Sequence, residues 1–165
     1  MNKTQGGKAQ DSGKSGSLLI SEAFKQKKFR IFTFTDYKSS DYNPMLDLWD
    51  PTPFVVVKEY PFITIAKTKG RIDYVLLKND LPFLAIEVKT QNVQGSVDEK
   101  IAFMTMNAME SEFPLHYCAM IGNHWKYGRG SEYIKAMNNF IDKHNKSQKC
   151  KIMLFDEILN EIKNI

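Results

Sequence analysis

The spacing of apolar and polar residues along the chain predicts helices and strands from Leu18 onward. Four apolar residues recur at helical spacing and predict a helix from Leu18 to about Lys28: Leu18, Leu19, Ala23 and Phe24. A short strand is expected next, over residues 29–34. Three strand-like runs then follow, separated by the turn signals KTKG and KNDLP: residues 54–66, 71–77 and 83–90. We predict that these three runs form an antiparallel meander.

The pattern changes after the third run. Ser96 followed by Glu99 is typical of a capping box, and apolar residues at helical spacing predict a helix from there to about Ser111. A strand (116–122), a helix (131–144), a strand (151–155) and a terminal helix from Asp156 complete the chain. This order predicts an α/β fold with a central mixed β-sheet, made of the antiparallel meander plus added strands and flanked by helices.

Two segments fall outside this pattern. Residues 1–17 are rich in Gly, Lys, Gln and Ser, so we expect a flexible polar N-terminal arm followed by a single domain over residues 18–165. The arm contains GKS, but Lys8 stands where a phosphate-binding loop requires its first glycine, and no hydrophobic strand precedes it. Residues 36–53 contain several Asp and Pro residues and are expected to form a long recognition loop.

Composition narrows the class of protein. With 42% hydrophobic and 25% charged residues in a chain of 165, one globular domain is expected. The net charge of +4 is compatible with binding to a polyanion without proving it. Cys118 and Cys150 lack metal-ligand spacing and are expected to be buried thiols. No apolar stretch approaches the roughly 18 residues that span a bilayer, so we expect a cytoplasmic protein without membrane contact.

Candidate chemistry lies on the last strand of the meander. Alternate residues of a strand share a face, so Glu87, Lys89 and Gln91 are expected to point to the same side. If the hairpin folds about residue 80, Asp73 falls opposite Glu87, with Cβ atoms about 5 Å apart. Two carboxylates this close would repel each other, and a divalent cation resolves the repulsion.

The lysine completes a set suited to phosphodiester hydrolysis. Lys89 would place an ammonium beside the two carboxylates, where it can stabilise a pentacovalent phosphate or orient the attacking water. Mg²⁺, with Mn²⁺ as a substitute, would activate the water and neutralise the phosphate. The opposing interpretation is a solvated ion-pair ladder, because a Glu-x-Lys pattern on a strand is common. Apolar neighbours on the strand and the register of Asp73 favour the metal site.

The segment GRIDYVLL, followed by a short turn and AIEVKTQ, resembles the PD-(D/E)XK nuclease superfamily. The continuation QNVQGSVDEKI is similar to a group of phage and bacterial members that includes type II restriction endonucleases. Ile72 replaces the proline of the motif. The resemblance implies a restriction-endonuclease-like fold, with Asp73 and Glu87 as metal ligands, Lys89 as the catalytic lysine and Gln91 as a supporting polar group.

Glu22 on the first predicted helix matches the place where relatives keep a further metal-linked glutamate, so the resemblance implies a third metal ligand there. A simpler interpretation remains open. Lys25 follows Glu22 by three positions, which on a helix brings the two side chains together as an exposed ion pair.

DNA contacts are expected from basic residues outside the motif. Lys100 lies on the first turn of the helix after the motif, and Lys126 and Arg129 lie in the segment GNHWKYGRG. The alternatives are a solvated helix face for Lys100 and, for the segment, a loop whose tryptophan packs against a helix. The three histidines lack metal-binding spacing, which disfavours an HNH-type nuclease.

The function expected from these features is that of a type II restriction endonuclease. It would cut a short sequence in double-stranded DNA as a homodimer, with a cognate DNA methyltransferase acting on the same sequence. Residues 36–53 and 122–130 would read the bases. Two alternatives remain open: a structure-specific repair or junction-resolving nuclease of the same fold, and a DNA-binding module that has lost catalysis.

Overall fold

A computed structural model describes residues 5–39, 54–91, 97–144 and 149–165, and gives the backbone alone for residues 5–15 and 97–99. The helices are α1 (Gln5–Gln26), α2 (Phe34–Lys38), α3 (Val97–Glu110), α4 (Gly128–His144) and α5 (Phe155–Asn164), with a 3₁₀ turn at Asn123–Trp125. The strands are β1 (Arg30–Thr33), β2 (Phe54–Ile63), β3 (Lys69–Lys78), β4 (Leu81–Thr90), β5 (Leu115–Ile121) and β6 (Cys150–Leu154).

All six strands form one sheet, in the order in which they occur along the chain. Strands β2, β3 and β4 are antiparallel neighbours, whereas β1 pairs with β2, β4 with β5 and β5 with β6 in parallel. The predicted antiparallel meander within a mixed sheet is therefore confirmed. The predicted strands and the later helices agree with the structure to within a few residues.

Helices cover both faces of the sheet. On one face, α1 and α5 pack against alternate residues of the central strands, including Tyr74, Leu76 and Ile86. On the other face, α3 and α4 pack against β5 and β6, and Cys118, Met120 and Ile152 belong to that second core. Both cysteines are buried, as predicted.

The β2–β3 hairpin reaches over to α3. Glu59 has a left-handed backbone conformation (φ 55°), and the pairing of β2 with β3 is interrupted at that position. Beyond it, the Tyr60 ring meets Phe113 edge-on, with ring centroids 6.0 Å apart. The backbone N–H of Ile65 donates to the Asn107 side-chain oxygen at 2.9 Å. These contacts hold the outer half of the hairpin against the end of α3.

The first helix begins at Gln5, so the predicted helix start at Leu18 was wrong; the mobility expected for residues 1–17 stays a prediction. The helical residues directly before Leu18 are small. Gly16 is buried in close contact with Thr90, where a larger side chain would collide, and the Ser17 hydroxyl lies 2.6 Å from the Tyr74 hydroxyl. Because this contact uses glycine and serine, hydrophobic periodicity does not reveal it.

Two further expectations concern segments at the limits of the described chain. Most of the expected loop 36–53 lies outside the described residues, and α2 occupies its first positions. Ser96 of the expected capping box also lies outside them. Within the described ranges, no helix has the length and apolar character needed to cross a membrane.

Candidate active site

The β3–β4 hairpin sets the register of the candidate site. Its two-residue turn, Asn79 and Asp80, is left-handed at both positions (φ 51° and 62°), which suits the twist of a hairpin. Next to the turn, Lys78 pairs with Leu81 and Leu77 with Pro82. The pairing then shifts, so that Leu76 pairs with Leu84 and Tyr74 with Ile86. This shift is a β-bulge that leaves Phe83 as the extra residue. Continuing the same register places Asp73 opposite Glu87.

Asp73, Glu87 and Lys89 meet on the sheet face that also carries α3 and α4. The backbone N–H of Val88 donates a hydrogen bond to Oδ2 of Asp73 at 2.7 Å. Nζ of Lys89 lies 3.1 Å from Oε2 of Glu87, and the two carboxyl groups are close enough to share a hydrogen bond. The Glu87 side chain is only 12% exposed and that of Lys89 30%, so the cluster is largely shielded from water.

Burial and proximity perturb both titrating groups. Burial raises the pKa of the Glu87 carboxyl, the charge of Lys89 opposes this, and the negative charge of Asp73 adds to the rise. For Lys89, burial alone would lower the pKa, but the negative charges of Glu87 and Asp73 outweigh it and hold the pKa above its ordinary value. The lysine is therefore protonated at neutral pH, while the carboxylates repel each other.

A comparison with protein families agrees with this geometry. A family model described as the PD-(D/E)XK nuclease superfamily domain matches residues 8–164, nearly the whole chain. The chain belongs to the PD-(D/E)XK nuclease superfamily. No match was found among curated proteins or among solved structures. The matched range begins well before Leu18, in accordance with the long α1 of this PD-(D/E)XK domain.

Divalent metals are typical cofactors of PD-(D/E)XK nucleases, and the residues present fit such an ion. Within the described residues, no group of three or more His, Cys, Asp or Glu side chains converges as a metal cage. Mg²⁺ does not need one, because it is commonly held by one or two carboxylates together with substrate phosphates and waters. Asp73 and Glu87 supply these carboxylates, and a cation between them would relieve their mutual repulsion.

Gln91 directly follows β4, two positions beyond Lys89. Its backbone N–H donates to the carbonyl oxygen of Ile121 at 2.8 Å, which extends the parallel pairing of β4 with β5, and the residue is buried. Strand alternation continued past Thr90 would put its side chain on the Glu87 side. Its supporting role in this PD-(D/E)XK site stays a prediction.

The structure does not bring Glu22 into the same pocket. Oε1 of Glu22 lies 2.7 Å from Nζ of Lys25, and both side chains are more than half exposed. The apolar residues of α1 pack on the opposite face of the sheet from Asp73 and Glu87. The structure thus shows the simple ion pair, and a metal-binding role for Glu22 stays an untested prediction.

The three basic residues expected to contact DNA lie on α3, on α4 and in the turn that precedes α4. Lys100 is exposed on the first turn of α3, and Arg129 is exposed on the first turn of α4. Nζ of Lys126 lies 3.8 Å from a carboxylate oxygen of Asp156. Trp125, which anchors the segment 122–130, is fully buried, so the expected packing of this tryptophan is present.

Two contributors to the pocket were not identified from the sequence. The backbone N–H of Val88 orients Asp73, and a backbone group leaves no signal in the residue pattern. Cys118 lies beside Glu87 on the neighbouring strand β5, where its buried thiol forms part of the floor. Only the pairing of β4 with β5 reveals that position.

Proposed function

We propose that this protein is a Mg²⁺-dependent DNA endonuclease that hydrolyses phosphodiester bonds, with Mn²⁺ as a substitute metal. The observation that carries the proposal is the close approach of the Asp73 and Glu87 carboxyl groups beside the shielded ammonium of Lys89. Two carboxylates and a lysine are suited to holding one cation and one phosphate together. Membership of the PD-(D/E)XK superfamily supports the same chemistry.

Each residue of the pocket would have its own role in this reaction. Bound Mg²⁺ would supply the charge that activates water and neutralises the phosphate. Asp73 and Glu87 would hold the ion, and the Val88 N–H would fix the orientation of the Asp73 carboxylate. Lys89 stays protonated, so it favours the negative charge that develops on the phosphate and is unsuited to removing a proton from water.

Within this chemistry we favour a type II restriction endonuclease. Residues 36–53 and 122–130 would contact the bases. Lys100, Lys126 and Arg129 would contact the phosphate backbone. Cutting both strands of a duplex with one site per chain requires two chains, which we propose form a two-fold homodimer. A cognate methyltransferase would protect the same sequence in the host.

A structure-specific repair or junction-resolving nuclease of the same fold is the second candidate, because its pocket would be the same. Cleavage of random duplex and of branched DNA separates the two, since a restriction enzyme ignores branch structure and cuts at one sequence. A DNA-binding module without catalysis is disfavoured, because the pocket retains both carboxylates and the lysine.

Digestion of a mapped plasmid with Mg²⁺, followed by sequencing of the termini, tests the proposal. We expect discrete fragments whose ends share one short sequence, and no cleavage when the metal is chelated. An Asp73→Asn protein, prepared in parallel, controls for contaminating nucleases. The proposal is wrong if neither Mg²⁺ nor Mn²⁺ supports cleavage of plasmid, linear duplex or branched DNA.

A further inference from the structure

The outer half of the β2–β3 hairpin, residues 60–72, extends beyond the pairing with β4, and we call it the hairpin arm. The pairing of β2 with β3 continues to Ile63 with Lys69, whereas the pairing of β3 with β4 ends at Tyr74 with Ile86. Beyond this last pair, β3 and β4 diverge. The fork between them lies next to the two carboxylates of the site, since these belong to the next residue on each strand.

One face of the hairpin arm is packed against the domain. Ile72 is fully buried, and the Tyr60 ring meets Phe113 edge-on. The Phe62 ring lies so close to Gly70 that any larger residue at Gly70 would collide with it. These contacts fix the position of the arm, and they leave its opposite face for a partner.

The opposite face of the arm is exposed and leads to the site. Lys69 and Arg71 are exposed, and strand alternation puts them on the side of β3 on which Asp73 lies. Their partners on β2, Ile63 and Pro61, are exposed as well. A surface with both basic and apolar side chains therefore continues along β3 to the catalytic aspartate.

The charge of the arm has one sign. Between Glu59 and Asp73 the chain has three basic residues, Lys67, Lys69 and Arg71, and no acidic residue. Arg71 lies 3.3 Å from Glu59, but both side chains are mostly exposed, so water weakens this pair. Lys69 makes no ion pair with any described residue. An anionic partner would therefore meet two cations that no buried carboxylate neutralises.

The spacing of these two cations suits the backbone of a nucleic acid. Alternate residues of a strand lie about 6–7 Å apart, which is close to the distance between successive phosphates of a DNA strand. A phosphate held at the two carboxylates of the site would have its neighbours at Arg71 and then at Lys69. The exposed apolar side chains on β2 would contact the sugars beside these phosphates.

We propose that the hairpin arm binds the DNA backbone on one side of the phosphate that is cut, with Arg71 and Lys69 as the two phosphate contacts. This inference rests on the proposed function. The partner is DNA because the arm continues the strand that carries Asp73, so a substrate bound at the carboxylates passes along it. Arg71 and Lys69 position the substrate and take no part in the chemistry.

The salt dependence of DNA binding counts these contacts. A fluorescent duplex is titrated with protein at several salt concentrations, with the metal chelated and again with Ca²⁺, and anisotropy gives the binding constant K. Each lost phosphate contact lowers the magnitude of the slope of log K against log salt by about one. Lys69→Gln with Arg71→Gln should therefore lower it by about two and weaken binding about tenfold or more at low salt.

A single variant and a matched control accompany this double variant. Lys69→Gln alone leaves the pair between Arg71 and Glu59 intact and should lower the slope by about one. The control, Lys25→Gln with Lys163→Gln, removes the same charge from α1 and α5, which cover the opposite face of the sheet. It should keep the wild-type slope. Circular dichroism reports whether each variant is folded.

The proposal is overturned if the wild type binds the duplex in neither condition, if the variants of the arm keep the wild-type slope, or if the control lowers the slope equally. Plasmid cleavage by the same proteins separates this result from the proposed function. A lowered slope in a protein that cuts no DNA supports the arm as a DNA-binding surface alone. Cleavage by the wild type, together with an unchanged slope in the variants, overturns the arm and leaves the nuclease proposal standing.

Discussion

Asp73 accepts a hydrogen bond from the backbone N–H of Val88, the residue that separates Glu87 from Lys89. One carboxylate of the site is therefore attached to the backbone of the strand that carries the other two functional groups. The position of the Asp73 carboxylate relative to β4 therefore depends on the pairing of β3 with β4. Each residue of the pocket can then be substituted with a distinct expected effect.

Lys89→Ala should bind DNA and Mg²⁺ but cleave slowly. The ammonium repels a cation yet favours the charge that develops on the phosphate, so its loss acts on the transition state. Loss of one such contact typically lowers the rate by about 10²- to 10³-fold. Single-turnover cleavage across a Mg²⁺ series measures the effect. Full rescue by excess metal, or a wild-type rate, would show that Lys89 has another role.

Asp73→Asn should raise the Mg²⁺ concentration required for half-maximal cleavage. The amide keeps the size of the side chain but carries no negative charge for the cation. A matched control is Glu59→Gln, which removes an exposed carboxylate that lies 3.3 Å from Arg71. The control should keep the wild-type metal requirement. Equal midpoints for Asp73→Asn and the control would remove Asp73 from the set of metal ligands.

The metal requirement should depend on pH. Because burial, reinforced by Asp73, raises the pKa of Glu87, protons compete with the cation as the pH falls toward that raised pKa. The Mg²⁺ midpoint should therefore increase on acidification and level off at higher pH, where the carboxylate is ionised. Cleavage measured over pH and Mg²⁺ together tests this, and Glu87→Gln should lose the dependence along with most activity. A midpoint that does not move with pH contradicts the prediction.

His116 should make folding stability pH-dependent. The ring is fully buried, and burial together with the charge of Lys149 lowers its pKa from 6.5 to about 4. As the pH falls below 6.5, His116 binds a proton in the unfolded chain but not in the folded protein. Folding stability is therefore lost between pH 6.5 and about 4. A shift of this size corresponds to about 3 kcal/mol.

Urea unfolding of wild type and His116→Phe at several pH values isolates this contribution. The variant loses the hydrogen bond between Nδ1 and Ser111, so its stability should be lower at neutral pH but should fall less steeply on acidification. His144→Gln, which changes an exposed histidine, should show the wild-type slope. Parallel curves for wild type and His116→Phe would assign the acid sensitivity to other groups.

Asn138→Ala should destabilise the fold by about 1–3 kcal/mol, because the N–H and carbonyl of Ile152 would both lose their partner. Asn139→Ala, a change at the exposed neighbour, should have little effect. Thermal unfolding compares the two. Light scattering should also show self-association of the Asn138 variant through the uncovered edge of β6. Identical melting temperatures for both variants would refute this role for Asn138.

Strand alternation was sufficient to predict the core of the site from the sequence. It placed Glu87 and Lys89 on one face, and the pairing of Asp73 with Glu87 followed from a hairpin folded about residue 80. The turn is in fact centred between Asn79 and Asp80, and the bulge at Phe83 restores the expected pairing. The prediction was right although the bulge, which has no signature in the apolar pattern, was not foreseen.

Residue patterns were less informative where contacts involve small or exposed residues. Gly16 and Ser17 extend α1 along the sheet without any apolar periodicity. Both an ion pair with Lys25 and a metal-binding role were open for Glu22, and helical spacing alone does not decide between them. The structure shows the pair with Lys25, because α1 packs on the sheet face that lies opposite to Asp73 and Glu87.

The bulge at Phe83 also allows Asp73 and Glu87 to lie opposite each other in the hairpin. Asp73 and Glu87 are an even number of positions apart, whereas a hairpin with a two-residue turn and regular pairing joins only positions an odd number apart. Straightening Phe83 into the ladder would bring Ile86 opposite Asp73 and turn the glutamate and the lysine toward the helices of the other face. Removing Phe83 altogether would leave the two carboxylates paired. The number of residues that separate Asp73 from Glu87 in the paired strands, more than the identity of the turn residues, decides whether the two carboxylates meet.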